Sequence, residues 1–176
     1  RKKLDDFLRV VDKFKLNAIE VSDGSANIMH DVKCEIIRKL SANYIVLSEV
    51  GSKDAEVHLS SDEWINEMQT ELSAGSSYVI AEARESGNVG IYNNSGKTEV
   101  SLVDSILKSV AAEKILWEAP LKPQQVWFIK KLGSDVNLGN IAPNEIIPLE
   151  TLRLGLRGDT FLSFLPDEMK SEIESF

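Results

Sequence analysis

Acidic side chains recur at the ends of short apolar segments along this sequence. Glu20, Glu49, Glu82 and Glu118 each lie inside or at the end of an aliphatic run that is typical of a buried strand. A buried carboxylate is costly unless it is paired, hydrogen-bonded or bound to a cation, so its repetition calls for a common reason. A ring of carboxylates at neighbouring strand ends would hold Mg²⁺, which takes oxygen ligands and commonly binds phosphorylated substrates.

The alternative for each glutamate is a structural salt bridge to a Lys or Arg of a neighbouring strand. This alternative explains a single glutamate as well as a metal site does, but it does not explain why the placement repeats. Glu20 is the weakest candidate, because three further polar residues follow it in the next loop and could reach the same edge of the sheet instead.

Two basic side chains follow these strand ends. Arg84 could grip a phosphate or carboxylate with both guanidinium nitrogens, with Glu85 orienting it. Lys53 follows Glu49 and would stand above the strand ends as a general acid or a charge clamp. The alternatives are an Arg84–Glu85 pair that only fixes the loop, and a Lys53 that is solvated.

Two glycine-containing stretches come at and after the last predicted strand. Gly139 and Asn140 lie in the first stretch, and Arg157 and Gly158 lie in the second. Barrel enzymes commonly build phosphate sites in this region from backbone N–H groups and a helix N-terminus. Such loops are common, so either stretch alone is a weak signal.

Strand-like and helix-like segments alternate along the chain. Asp31 is expected to cap the second helix, and Ser60 with Glu63 predicts a capping box before the third. His30 and His58 fall in predicted loops at no metal-ligand spacing, and we interpret both as surface residues. Strands are predicted at 18–21, 44–50, 78–83, 115–117 and 136–141, and helical patterns at 4–14, 32–40, 64–72, 102–110, 123–132 and 149–156.

This alternation predicts an α/β protein with parallel strands joined by right-handed crossovers. Five such units suit either an open doubly wound sheet or part of an eight-unit TIM barrel, and length alone favours the open sheet. The polar residues favour the barrel, because barrel enzymes place catalytic groups at the carboxyl ends of successive strands. The open sheet predicts instead a reversal of strand order, with a site in the crevice at that point.

Composition limits the other possibilities. The 176 residues predict a single domain, 1–176, with a peripheral tail helix at 166–176. The net charge of -8 disfavours nucleic acid as a partner, and no apolar run approaches the length of a membrane span. Cys34 is the single cysteine, which fits a reducing compartment and predicts a cytoplasmic protein.

Six stretches at and after the predicted strand ends follow one another in a specific order between about residues 4 and 164. In this order they resemble the phosphosulfolactate synthase family, also called phosphoenolpyruvate sulfite-lyase. The stretches are IEVSDGS at 19–25, LSEVGSK at 47–53, AEARESG at 81–87, EAP at 118–120 with QQVWFI at 124–129, VNLGNI at 136–141 and LETLRLGLRGDT at 149–160.

The resemblance implies a TIM (β/α)8 barrel, of which this chain supplies about the last five β/α units. It also implies Mg²⁺-dependent addition of sulfite to phosphoenolpyruvate, which gives (2R)-phospho-3-sulfolactate on the coenzyme M route. The acid that protonates the developing carbanion would be Lys53, with Arg84 and Glu49 as further catalytic residues. The metal ligands would be Glu82, Glu118 and Glu49, and the substrate contacts would be Arg157, Asn140, Gly139 and Ser25.

Two features depart from the family pattern. The family barrel has three further strands ahead of the helix that opens this chain, so the chain alone is expected to leave two open sheet edges and an open site. Ser52 stands where many relatives have another Lys, which lowers the positive charge near the sulfite.

Two other functions fit the same pattern. One is a metal-dependent enzyme that acts on another phosphorylated carboxylic acid, because the same strand-end chemistry would serve it. The other is a non-catalytic or stress-associated relative; such relatives in plants diverge at 19–25 and 81–87, which this chain retains. The expected partners are small anionic substrates and a second copy of the chain in a homo-oligomer, with no nucleic acid and no membrane.

Overall fold

The computed structural model describes residues 3–23, 28–52, 59–84, 86–166 and 168–170, and in these the strand and helix alternation is confirmed. The strands are β1 (Ala18–Val21), β2 (Ile45–Val50), β3 (Tyr78–Ala81), β4 (Ile115–Glu118) and β5 (Leu138–Gly139). The helices are α1 (Leu4–Lys13), α2 (His30–Ser41), α3 (Ser61–Ser73), α4 (Val100–Ser109), α5 (Lys122–Leu132) and α6 (Ile146–Arg153).

The five strands form one parallel sheet in the order β1-β2-β3-β4-β5. The spatial order therefore equals the chain order, and the predicted α/β class is confirmed. The order of the described strands does not reverse anywhere in the sheet, which argues against the open doubly wound alternative. All carboxyl ends of the strands lie along the same edge, where the predicted site residues follow.

Two groups of buried side chains connect the helices to the sheet. The larger group includes Trp117 and Phe128, whose rings stack with centroids 5.0 Å apart, and it lies between β2–β5 and helices α3–α6. The smaller group includes Val11, Ile37 and Val46, and it joins α1 and α2 to β1 and β2. Both groups fix the helices on the sheet, so that the strand ends are held in register.

Helix α3 begins as the sequence predicts. The Ser60 side chain accepts from the Glu63 backbone N–H at 3.3 Å, and the Glu63 carboxylate accepts from the Ser60 backbone N–H at 2.7 Å. This capping box satisfies two backbone donors at the helix start. The Ser60 contacts lower the pKa of Glu63, because hydrogen bonds to a carboxylate favour its charged form.

Three local predictions are wrong. Asp31 does not cap α2, because the helix begins at His30 with Met29 in the N-cap position, two residues earlier than predicted, and Asp31 lies in its first turn. His30 is the first residue of α2 and not a loop residue, and its Nε2 lies 3.3 Å from Oε1 of Glu71. Strand β5 is only two residues long, because its ladder with β4 is limited to two pairs.

Both ends of the sheet carry exposed apolar side chains. Phe7 and Phe14 are exposed on and directly after α1, which precedes β1. Ile147 and Leu156 are exposed on and after α6, which follows β5. Among the described residues no helix is long and apolar enough to cross a membrane. Of the predicted tail helix 166–176, residues 168–170 are helical and most of the others lie outside the described residues.

Candidate active site

Three carboxylates meet at the carboxyl edge of the sheet. Glu49 is in β2, Glu82 directly follows β3 and Glu118 ends β4, so three adjacent strands each contribute one side chain. One carboxylate oxygen from each residue lies within 4.8 Å of those from the other two. Glu49 and Glu82 are buried, and Glu118 is partly buried. The convergence that the sequence pattern predicted is therefore present in the fold.

Short hydrogen bonds orient two of these carboxylates. The Ser22 hydroxyl, just beyond β1, donates to Oε1 of Glu49 at 2.5 Å. The backbone N–H of Ala83, just beyond β3, donates to Oε2 of Glu118 at 2.7 Å. Both donors are neutral groups of the neighbouring strand's end, so they fix the carboxylate orientation without adding positive charge.

Tyr92 forms a hydrogen bond to the backbone of Glu118. The Tyr92 hydroxyl donates to the backbone carbonyl of Glu118 at 2.6 Å, and its ring is buried. Burial raises the pKa of Tyr92, and the nearby negative charge of Glu118 raises it further. The hydroxyl therefore stays protonated and remains a donor to this carbonyl.

Close backbone packing confines Glu82. Its side chain is 0% exposed, and two glycines make room beside it. A Cβ at Gly51 would lie 2.8 Å from Cβ of Glu82, and a Cβ at Gly90 would lie 1.9 Å from its carbonyl oxygen. Both glycines have positive φ, which side chains other than glycine rarely adopt. The glycines that follow β2 and β3 thus permit the close approach of Glu82 to its neighbours.

The three carboxylates face a cleft of about 460 Å³. Arg84 is exposed at the mouth of this cleft, and Asn140 lines it from the end of β5. The Asn140 amide donates to the Ala83 carbonyl at 2.9 Å and so bridges the ends of β3 and β5. Asn140 has φ 55°, a left-handed conformation that Asn tolerates better than most residues. The full lining of described residues is Glu20, Glu49, Glu82, Ala83, Arg84, Ser86, Glu118 and Asn140.

The other predicted site residues are placed less directly. Gly139 is in β5 beside Leu116, and a Cβ there would lie 2.1 Å from Cδ2 of that leucine. Arg157 is exposed after α6, its Nε donates to the Thr151 hydroxyl, and it does not line the cleft. Ser25 and Lys53 lie outside the described residues, as does Glu85.

Several residues of the site were missed or underrated by sequence reasoning. Glu20 lines the cleft although the sequence made it the weakest candidate, and Ser86 lines it as well. Ser22 is one of the polar residues after Val21 that were expected to reach this edge, but its bond to Glu49 was not predicted. Tyr92 carries no sequence signal, because a tyrosine in a loop is common. Asn137, which lies just before β5, is not part of the site, because its amide donates to the Glu113 carbonyl at the other end of the sheet.

A second cleft of about 470 Å³ lies between the start of α3 and the segment after β3. Its described lining includes Ser60, Trp64 and Asn93, together with the acidic Glu99. No Lys or Arg is among the described residues that line it. This lining matches anionic substrates less well than the carboxylate cleft with Arg84 does.

The donor set suits a hard divalent cation. Mg²⁺ takes oxygen ligands and is commonly bound by one or two carboxylates together with substrate oxygens and water. Glu49, Glu82 and Glu118 supply such oxygens from a rigid sheet edge, and their mutual repulsion would be relieved by a cation.

These features define a class: an α/β protein whose parallel sheet presents clustered carboxylates and an arginine at its carboxyl edge. Residues 1–159 match the family described as (2R)-phospho-3-sulfolactate synthase (ComA), and the chain belongs to this family.

Curated relatives bear the name phosphosulfolactate synthase. The chain is 45% identical over 163 residues to the protein of Methanocaldococcus jannaschii, an alignment that covers 90% of this chain and 65% of that protein. It is 44% identical to the Bacillus subtilis protein, with 92% and 65% covered. It is 42% identical to the Methanothermobacter thermautotrophicus protein, with 90% and 63% covered. The chain therefore spans about two thirds of the length of these relatives.

Proposed function

We propose that the full-length protein carrying this chain is a lyase that adds sulfite to phosphoenolpyruvate in a Mg²⁺-dependent reaction, giving (2R)-phospho-3-sulfolactate. One observation carries the proposal: Glu49, Glu82 and Glu118 converge to within 4.8 Å in a cleft that Arg84 and Asn140 also line. Membership of the phosphosulfolactate synthase family supplies the reaction.

The reaction joins two anions, so charge neutralisation is its main requirement. The sulfite sulfur forms a bond to C3 of phosphoenolpyruvate, the electron pair of the double bond moves to C2, and C2 then takes a proton. Bound Mg²⁺ would neutralise the substrate carboxylate as negative charge develops beside it. Glu49, Glu82 and Glu118 would hold the metal, with Ser22 and the Ala83 N–H keeping two of these carboxylates in place.

Arg84 and Asn140 would bind the substrate. The Arg84 guanidinium lies at the mouth of the cleft and suits a phosphate or a carboxylate, which it can contact with two parallel N–H donors. Lys53 would donate the proton to C2, as the family resemblance implies. Arg157 would hold a second anionic group, together with the backbone at Gly139 and the Ser25 loop. Glu49 would act in catalysis as well as in metal binding.

We also propose that the five units belong to a TIM barrel. The parallel strands follow chain order, as barrel strands do, and the segments that precede β1 and follow β5 carry exposed apolar side chains such as Phe14 and Ile147. Burial of such surface by further β/α units or by a second copy in a homo-oligomer would be favourable. A cytoplasmic location remains part of the proposal and is supported by Cys34, a buried free thiol.

The proposed reaction predicts a double requirement. In the full-length protein we expect phosphoenolpyruvate to be consumed only when both sulfite and Mg²⁺ are present, and an excess of chelator to stop the reaction. Phosphorus NMR of the mixture measures both substrate and product. Consumption that continues without sulfite would contradict the assigned nucleophile, and consumption that is unaffected by the chelator would contradict the metal. Thermal shifts with other phosphorylated acids and Mg²⁺ would then identify another substrate.

Replacement of Arg84 by Met is expected to raise the KM for phosphoenolpyruvate. A charge-assisted hydrogen bond contributes about 1.5–3 kcal/mol, which corresponds to a rise of roughly 10- to 100-fold. Steady-state kinetics at saturating sulfite measure this constant. Arg9→Met provides the matched control, since Arg9 is exposed on α1 and pairs with Asp6. An unchanged KM in Arg84→Met would remove Arg84 from the substrate site.

A further inference from the structure

A lysine is buried behind the carboxylate cluster. Lys33 lies in the first half of α2, yet it is only 1% exposed. Its Nζ donates to the backbone carbonyl of Glu49 at 2.5 Å, to Oδ1 of Asp23 at 3.1 Å, and it lies 2.8 Å from Oε1 of Glu71. One ammonium group therefore connects the end of β1, the end of β2 and helix α3.

The surrounding charges keep this lysine protonated. Burial disfavours the charged form, but the carboxylates of Glu71 and Asp23 outweigh it, and together they raise the pKa of Lys33. Glu71 is itself 0% exposed and also has His30 beside it. Burial raises the pKa of Glu67, which lies one turn before Glu71 on α3. The ammonium therefore stays charged and can donate to the Glu49 carbonyl and to the carboxylates of Asp23 and Glu71.

The Glu49 carbonyl accepts this bond just beyond the end of the β1–β2 ladder, while Glu49 itself still pairs with Ile80 of β3. The ladder between β1 and β2 ends at the pair Val21 and Ser48, one residue before Glu49. The ladder between β3 and β4 likewise ends at Ala81 and Trp117, one residue before Glu118. In each case the carbonyl of the glutamate accepts from a side chain that reaches in from outside the sheet. That side chain is Lys33 for Glu49 and Tyr92 for Glu118.

We infer that Lys33 is a positioning residue, which holds the backbone of Glu49 so that its carboxylate faces Glu82 and Glu118. This inference rests on the proposed metal site, and it assigns to a residue outside the cleft an influence on cation affinity that acts through Glu49. Backbone rotation at Glu49 would move its carboxylate away from Ser22 as well, since the Ser22 hydroxyl meets this carboxylate at 2.5 Å. Partners of this kind typically contribute 10- to 100-fold to metal affinity.

The test separates this role from simple charge balance. Lys33→Met alone would leave the Glu71 carboxylate buried without its ammonium partner, which is strongly destabilising. The double variant Lys33→Met/Glu71→Met replaces the buried pair by apolar side chains of similar length, an exchange that is often neutral for stability. It removes the donor to Glu49 while removing the isolated charge as well.

Mn²⁺ serves as the probe, because the signal of the free ion in electron paramagnetic resonance reports binding without any turnover. In the full-length protein we expect the double variant to remain folded and to bind Mn²⁺ about 10-fold or more weakly than the unmodified protein. Glu71→Gln keeps Lys33 and its bond to Glu49, and it is expected to bind within about twofold of the unmodified protein, well short of the 10-fold change. Lys131→Met is the matched control, since Lys131 forms an ion pair with Asp104 on the surface.

The outcomes distinguish the two proposals. Tight Mn²⁺ binding by a folded double variant would overturn the role of Lys33 and leave the metal site intact. No binding by the unmodified protein, or equal binding by Glu82→Gln, would overturn the metal site and this inference with it. If the double variant does not fold, the variant Lys33→Met/Glu71→Gln is used in its place, because its glutamine keeps a neutral partner for His30. Failure of both to fold would make Lys33 a structural residue and end the proposed positioning role.

Discussion

Replacement of Glu82 by glutamine is expected to abolish sulfite-dependent consumption of phosphoenolpyruvate while the protein stays folded. Glutamine has the same size as glutamate but lacks the charge and offers only one oxygen ligand. Glu82 is fully buried and directly follows the strand between those that carry Glu49 and Glu118, so it is central to the cluster. A metal ion stabilises developing charge by several kcal/mol, so its loss is expected to lower kcat/KM on the order of 10²- to 10³-fold.

The matched control for this substitution is Glu113→Gln. Glu113 is exposed in the short 3-10 helix just before β4, where its carbonyl accepts from Asn137, and it lies at the opposite end of the sheet from the cleft. Initial rates with saturating sulfite and Mg²⁺, together with circular dichroism of both variants, measure activity and folding separately. Full activity in Glu82→Gln would remove this residue from the metal site.

Gly90→Ala is expected to destabilise the fold more than Gly133→Ala or Gly158→Ala does. The new Cβ would lie 1.9 Å from the carbonyl oxygen of Glu82, a backbone atom that cannot move aside by side-chain rotation. Gly90 also has φ +76°, where a Cβ is strained. Overpacking and left-handed strain together are expected to lower the free energy of unfolding by about 2–5 kcal/mol.

Two other glycines separate the contributions to this effect. Gly133 has φ +96° but nothing within 4 Å of an added Cβ, so Gly133→Ala isolates the strain at about 1–2 kcal/mol. Gly158 has neither a positive φ nor a close neighbour, and Gly158→Ala is expected to be neutral or slightly stabilising. Thermal unfolding of the three variants gives the order. A Gly90→Ala protein as stable as Gly158→Ala would contradict the close packing at Glu82.

The regular elements could be predicted because each leaves a local pattern. Ser60 and Glu63 identify the start of α3, since their spacing allows the two reciprocal hydrogen bonds that the structure contains. The start of α2 could not be fixed in the same way. Aspartate is favourable both as a cap and in the first helical turn, so Asp31 marks the helix start only to within a residue.

The carboxylate cluster could be predicted because a glutamate recurs at the carboxyl end of successive predicted strands. Glu49, Glu82 and Glu118 lie at or directly after the carboxyl ends of three strands that are adjacent in the sheet, and the βαβ alternation favours such adjacency of consecutive strands. The residues behind the cluster could not be predicted, because their roles depend on contacts between distant elements. Lys33 has the sequence environment of a surface lysine, and only the packing of α2 against β2 and α3 buries it.

Crystals of the full-length protein soaked with Mn²⁺ would show whether Glu49, Glu82 and Glu118 bind one divalent cation. The anomalous scattering of manganese locates the ion independently of any assumed reaction. We expect one strong peak within direct coordination distance of carboxylate oxygens from Glu49, Glu82 and Glu118. A well-ordered cleft without such a peak at saturating Mn²⁺, or a peak held by other residues, would contradict the proposed metal site.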